Sequence, residues 1–303
     1  MSASVKQSTR HIMMVEPAAF FSNPETRETN VYQAREGEQP DNPDDVFIHA
    51  VSEFKLFRDL LVRNGVIVTT ALGHEGSPDM IFPNWSSTHA NGRMVLYPMM
   101  SENRRAERAP EIIEILKRSY PDVLDLTDYE NKGLFLEARG SVVCDRVNRV
   151  GYVALSPRTS KEMAEIWAKE MDYELEVFET ESHTGKPVYH TDLVMHIGST
   201  YAAICADCIT PEHRERVLNR LKSTHDVVEL TMAQLQSFCG NALEVEGKDG
   251  DKMLAMSTAA YNALTIEQIR VIENHFVRVL HSPLDTLEKY GGGSARCTLM
   301  ELY

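Results

Sequence analysis

Several signatures of common protein classes are missing from this sequence. No run reaches the ~18 apolar residues that a membrane-spanning helix needs. The opening stretch, MSASVKQSTRHIMMVEP, has no apolar core of the length that a secretory leader requires. No Gly-x-Gly-x-x-Gly or Walker sequence follows a strand-like run, so no phosphate cradle is expected. Basic clusters are absent as well: 31 Lys and Arg face 45 Asp and Glu, a net charge of −14. Such a surface repels phosphate backbones, which excludes a nucleic-acid partner. The five cysteines are odd in number and mostly far apart, which argues against a disulfide framework. Cys205 and Cys208 look like half of a zinc site, but no two further ligands stand at matching spacing. They read as packing residues, as do Cys144 and Cys239, and no metal or organic cofactor is expected. A reducing, cytoplasmic protein is the reading these absences leave.

What is present is a balanced globular composition, 43% hydrophobic and 25% charged over 303 residues, enough to bury a core without staples. The polar stretch Arg35–Asp45 reads as a surface loop, and Glu246–Lys252 as a hairpin connection. An order of elements recurs five times: two short apolar runs, a helical pattern, then another short run. MIFPN and RMVLYPMM precede RAPEIIEILKRSY and DVLDL. GLFLEA, SVVCDR and VGYVALS precede SKEMAEIWAKEM and YELEVFET. PVYHTDLVMHIG and YAAICADCI precede TPEHRERVLNRLKS and DVVELT. NALEVEG and KMLAMS precede TIEQIRVIENHF and VRVLHS. The first ~70 residues fit with IMMVEP, a helix over Val46–Asn64 and VIVTTAL. Ile112, Ile113, Ile115 and Leu116 give one helix face, and Met163, Ile166, Trp167 and Met171 another. Thr210–Pro211 and Thr265 are N-cap candidates. Strand–strand–helix–strand units of this length predict an α/β fold with radial or stacked symmetry, and residues 1–303 are long enough for two domains or one large one.

The chain closes on YGGGSARCTLMELY. Glycines 291–293 permit close backbone approach and can present Cys297 to a cavity. The bland alternative, a buried structural cysteine, is weakened by Arg296, whose guanidinium beside sulfur would favour thiolate. His190 and Asp192 lie two apart, and on a strand they would share a face. His196 is the rival histidine on that face. Glu137 stands at the end of an apolar run, where a carboxylate could orient an imidazole. Arg158, between a strand and a helix, offers a planar fork for a carboxylate. Asp79, Asn84, Trp85 and His89 cluster around a strand end.

Together, Gly-Gly-Gly-x-x-Arg-Cys, His-x-Asp, the strand-end Glu and Ser-x-Arg-Thr resemble the guanidino-group-modifying enzymes. These include arginine and agmatine deiminases, dimethylarginine hydrolases and amidinotransferases. The resemblance implies a pentein, a five-bladed α/β propeller with its site in the central channel. It implies Cys297 as nucleophile, His190 as acid/base, Glu137 as its partner, Asp192 at the substrate's planar end and Arg158 at the α-carboxylate. FPNWSSTH puts Asn84 where arginine deiminases carry a carboxylate, and EARG lacks the aspartate of their Glu-Gly-Gly-Asp. Loss of those acids, with the FPN…W…STH, LYPMMSENRR and LSPRT stretches, is similar to the citrulline ureidase branch. The expected substrate-binding set is therefore Asp192, Arg158, Asn84, Asp79 and Arg296, and the expected partner is a small amino acid. Arginine deimination, amidino transfer and a non-enzymatic binding role, known among penteins for a ribosome anti-association factor, are the rival readings. Monomer and homo-oligomer both stay open.

Overall fold

A computed structural model describes residues 6–34 and 42–303. Strand β1 (His11–Glu16) and strand β2 (Ile67–Leu72) flank a helix over Pro43–Arg63. The next unit is β3 (Ser86–Thr88), β4 (Arg93–Leu96), a helix over Pro110–Lys117 and β5 (Asp122–Asp125). A third has β6 (Val143–Asp145), β7 (Val150–Ala154), a helix over Lys161–Met171 and β8 (Glu174–Phe178). A fourth has β9 (Met195–Ile197), β10 (Tyr201–Ile204), a helix over Pro211–Lys222 and β11 (Asp226–Glu229). The fifth has β12 (Leu243–Glu246), β13 (Lys252–Ser257), a helix over Ile266–His275 and β14 (Arg278–Ser282). The last strand, β15 (Met300–Leu302), returns to pair with β1.

Among the described residues the result is five three-stranded sheets. In each, the central strand is antiparallel to the first and parallel to the third, which it reaches through the helical crossover. Neighbouring first strands touch: β15 meets β3, β6 meets β9 and β9 meets β12. These five short strands therefore ring one axis, and the chain is a five-bladed α/β propeller. Its first blade is completed only by the C-terminal strand, with His11 opposite Leu302 on one side of β1 and Ile67 on the other.

The elements follow from the residues. The first crossover helix starts three residues earlier than the apolar pattern predicts, because Asn42 caps it and Pro43 opens it. Val46, Ala50, Phe54, Phe57 and Leu61, spaced four or three apart, are its buried face. The proposed loop over Arg35–Asp45 thus ends in a helix cap, and residues 35–41 lie outside the described residues. Thr265 caps the last crossover helix in a reciprocal box with Gln268. Thr210 does not cap with its side chain; its hydroxyl meets His213 Nδ1 at 3.2 Å. Glu246 pairs with Lys252 across the expected hairpin.

One group of expectations fails in a consistent way. MIFPN, GLFLEA and the first part of PVYHTDLVMHIG are not strands. The strands begin later, at Ser86, Val143 and Met195, and each has three residues. The apolar residues before them are buried because the loops dip toward the axis, not because they pair in a sheet: Met80, Ile81, Leu136, Val188 and Tyr189 are all below 5% exposed.

Candidate active site

Each blade sends the segment just before its first strand to the same end of the axis. Asn84 precedes β3, Glu137 precedes β6, His190 and Asp192 precede β9, Asn241 precedes β12, and Cys297 precedes β15. Fivefold pseudo-symmetry thereby converts five distant stretches into one cluster, and all six side chains are at most 1% exposed.

Cys297 lies in a single turn over Arg296–Thr298, with its N–H on the Ser294 carbonyl at 3.1 Å. Its sulfur receives the Asn241 Nδ2 donor at 3.2 Å and faces Asp192 Oδ2 at 3.6 Å. Asn241 also accepts from the Cys297 N–H at 3.3 Å and donates to the Asp192 carbonyl at 3.0 Å. One buried amide therefore ties the turn bearing the thiol to the turn bearing the carboxylate. Burial, and then the Asp192 charge, push the thiol up to about 12, against the opposing pull of the Ser294 and Asn241 contacts and of Arg139.

The imidazole of His190 donates through Nε2 to Glu137 Oε2 at 2.8 Å. Burial lowers the His190 pKa, with Glu137 opposing, so the ring is neutral near pH 7, and among the described residues its Nδ1 has no partner. Burial alone would raise Glu137. The His190 bond and the Arg158 guanidinium, 3.7 Å away, outweigh it, help from Arg104 at the same distance, and hold the carboxyl at about 2. Gly140 lies against this ring: a Cβ there would come within 2.6 Å of His190 Nδ1.

His190 and Cys297 line one narrow cavity with Asn30, Asp79, Phe82, Asn84, Arg104, Arg158 and Tyr189. Its volume is about 10 Å³, far below the ~300–1,000 Å³ usual for ligand sites, so in this conformation it is too narrow to hold an amino acid. Among the described residues, Asp79 Oδ1, Asn84 Oδ1 and His190 Nδ1 on this lining have no partner, nor has Oδ1 of Asp192, whose other oxygen faces the sulfur. Buried polar groups are normally satisfied, so this set fits a polar ligand end. The glycine run finds its reason here. Gly292 has φ +60° with Asn30 against it, and a Cβ on Gly291 would meet Phe82 at 2.5 Å. Only bare backbone can pass between those side chains to deliver Cys297.

Three sequence expectations need correction. His190 and Asp192 do not share a strand face; His190 precedes a short helical turn, Thr191–Val194, that contains Asp192. They converge because the turn coils toward the axis. Arg296 does not face the thiol. Its guanidinium binds Glu301 Oε2 at 2.6 Å and the Leu299 carbonyl at 2.8 Å, since adjacent residues in a tight turn point apart. The thiol is accordingly not held ionised by Arg296. His196 is also elsewhere, on β9 with Nδ1 on the Gly240 carbonyl. Of the other expected residues, Arg158 is 2% exposed rather than a surface residue, and it binds Thr29 Oγ1 and the Thr26 carbonyl. Asp79 accepts from Asn23 and Thr26. Cys205 and Cys208 are buried, while Cys144 is only partly so.

Asn241, Arg104 and Arg139 were missed by reading residues alone. Asn241 had one available signal: it stands two residues before β12, as Asn84 stands two before β3.

A five-bladed α/β propeller with a thiol, an imidazole and carboxylates gathered at the axis is the architecture of the pentein guanidino-group hydrolases. Residues 16–303 match the family described as N,N dimethylarginine dimethylhydrolase, eukaryotic, and the chain belongs to that family. No curated protein matches it. Among solved structures it resembles ArgZ, an arginine dihydrolase from the ornithine-ammonia cycle in cyanobacteria, at 20% identity and a TM-score of 0.75, over 96% of this chain. It spans 40% of that longer protein. The N-terminal domain of ArgZ, covalently bound to a reaction intermediate, aligns at 19% identity and TM-score 0.76, over 97% of both chains. A dimethylarginine dimethylaminohydrolase adduct with S-methyl-L-thiocitrulline aligns at 16% identity and TM-score 0.67, over 96% of this chain and 99% of that one. Among the described residues no helix is long and apolar enough to cross a membrane.

Because the thiol pKa is raised, alkylation of Cys297 by iodoacetamide, followed on its tryptic peptide, should climb about tenfold per pH unit from pH 7 to 9 without levelling. Arg296→Ala should leave that profile unchanged. A plateau near neutrality, or its loss in the variant, would return Arg296 to the thiol.

Proposed function

We propose that the chain, as one catalytic domain over residues 1–303, hydrolyses citrulline to ornithine, ammonia and carbon dioxide through a covalent intermediate on Cys297. The observation that carries the substrate choice is Asn84, a buried neutral amide whose Oδ1 has no protein partner, in the cavity of Cys297 and His190. An amide both donates and accepts, which suits an uncharged ureido group with a carbonyl and N–H donors.

The reaction starts with the Cys297 proton passing to His190, whose cation is stabilised by ionised Glu137. The thiolate adds to the ureido carbon. Collapse breaks the bond to the terminal nitrogen as His190 returns its proton, and ammonia leaves. Water, deprotonated by the same imidazole, attacks the remaining thioester-like carbon and the C–S bond breaks. The N-carboxy product loses carbon dioxide and takes up a proton to give ornithine. One citrulline and one water thus give three products and the free thiol. Asn241 serves by donating to the sulfur, where negative charge develops. Arg158 is the partner for the substrate's α-carboxylate. Its Nε and one terminal nitrogen are already engaged by Thr29 and Thr26, so segment 17–34 must yield when an amino acid enters.

A second reading has arginine or a methylated arginine as substrate. It is favoured by Asp79 and Asp192, two buried carboxylates each with one oxygen unpartnered, which suit a guanidinium. The substrate cation would also lower the thiol pKa. Family membership supports the reaction class without choosing between these substrates.

Incubation with citrulline, arginine, agmatine and dimethylarginine, with product identification, separates the readings. Ornithine from citrulline is the expected result, with agmatine poor for want of a carboxylate. Citrulline accumulating from arginine, with citrulline itself inert, would replace the first reading by the second. On the preferred substrate, Asn241→Ala should lower kcat by about 10- to 100-fold, the worth of one hydrogen bond to a charged atom, with little change in KM. An unchanged kcat would make Asn241 merely structural.

A further inference from the structure

A second cavity lies on the same axis, inside the ring of first strands. Its lining takes a residue from every blade: Ser87 of β3, Cys144 of β6, His196 of β9, Leu243 of β12 and Glu301 of β15. Its volume is about 40 Å³, room for an anion of a few heavy atoms. Arg139 divides it from the catalytic cavity. That guanidinium donates to the Cys297 carbonyl at 2.8 Å and to the Pro83 carbonyl, while its Nε has no partner.

Charge in this space does not balance. Arg139, Arg146 and Arg296 line it, against one carboxylate, Glu301. Arg296 and Arg146 share Glu301, at 2.6 and 3.7 Å. Among the described residues no carboxylate lies within ion-pair distance of Arg139. Its pKa is lowered to about 9 by burial and by the neighbouring Arg296. The two histidines do not add to the excess. Burial, with Arg146, lowers His89 to about 3, and burial lowers His196 to about 4, so both are neutral. His89 is engaged by Ser87 at 2.9 Å. His196 is 5% exposed, donates Nδ1–H to the Gly240 carbonyl, and leaves Nε2 unpartnered as an acceptor.

Uncompensated buried charge is costly, and nature normally pairs it. We propose that this axial cavity binds a small planar oxyanion, a carboxylate or bicarbonate, between the guanidiniums of Arg139, Arg146 and Arg296, with His196 Nε2 facing it. Guanidinium forks match planar oxyanions in shape and charge. The free His196 acceptor favours an anion that retains a proton, as bicarbonate does. The site stands apart from the choice of substrate: neither Arg146 nor His196 lines the catalytic cavity, and the Arg139 guanidinium meets it only through backbone carbonyls.

The test measures thermal unfolding of the full chain in sodium bicarbonate, sodium acetate and sodium chloride at one ionic strength and pH 8. Bicarbonate or acetate should raise the midpoint by several degrees more than chloride, as a ligand of the native state does. Arg146→Gln should weaken the apparent affinity about tenfold or more, and Arg146→Lys should restore part of it, which separates charge from misfolding. A bicarbonate preference that disappears in His196→Phe assigns the protonated anion; equal shifts with acetate assign a carboxylate. No shift beyond chloride, or a shift undiminished in Arg146→Gln, would overturn the proposal and place any binding at the catalytic cavity.

Discussion

A buried sulfur clamped between an amide and a carboxylate governs the chemistry of this molecule. Asn241 donates to Cys297 Sγ at 3.2 Å, and Asp192 faces it at 3.6 Å. The two contacts oppose each other. The amide favours thiolate and the carboxylate resists it, so with burial the thiol stays neutral. In the proposed reaction, reactivity then depends on what enters: a group that replaces water, engages Asp192 and lets His190 take the proton. Glu137, ionised by its bond to His190 and by Arg158 and Arg104, is placed to stabilise the resulting cation.

The fold meets the geometric demand behind this clamp. Five short inner strands ring the axis, and what precedes each is delivered to one end of it. The price of that economy is closure. Blade one lacks its inner strand until β15 returns to β1, and Cys297 sits three residues before that strand. Cys297 is therefore placed only when the propeller is complete. The same ring continues past Arg139 into a second cavity, where three guanidiniums face one carboxylate.

Much of this was legible in the sequence. The repeated order of apolar runs and helices gave the five blades, and the glycine run pointed to Cys297. The limits have physical causes. Three-residue inner strands carry too little alternation to be located, and loops that dive to an axis are as apolar as strands. His190 and Asp192 were thus paired for the wrong reason, a shared strand face, although both do reach the cavity region. Arg296 misled because sequence adjacency says nothing about direction within a tight turn. Asn241, in FCGNALEV, has no chemical signature of its own. Only its position relative to β12, matched to Asn84 before β3, distinguishes it. Arg139 was hidden in the same way beside the more eloquent Glu137.

The claim on which the rest depends is that Cys297 bonds to substrate carbon. Acid-quenching the protein during turnover of citrulline, and weighing the Cys297 peptide, tests it directly. The account predicts a substrate-derived adduct on Cys297, with both adduct and turnover absent from Cys297→Ala. Turnover that persists in Cys297→Ala, with no modified peptide in the unsubstituted protein, would contradict it.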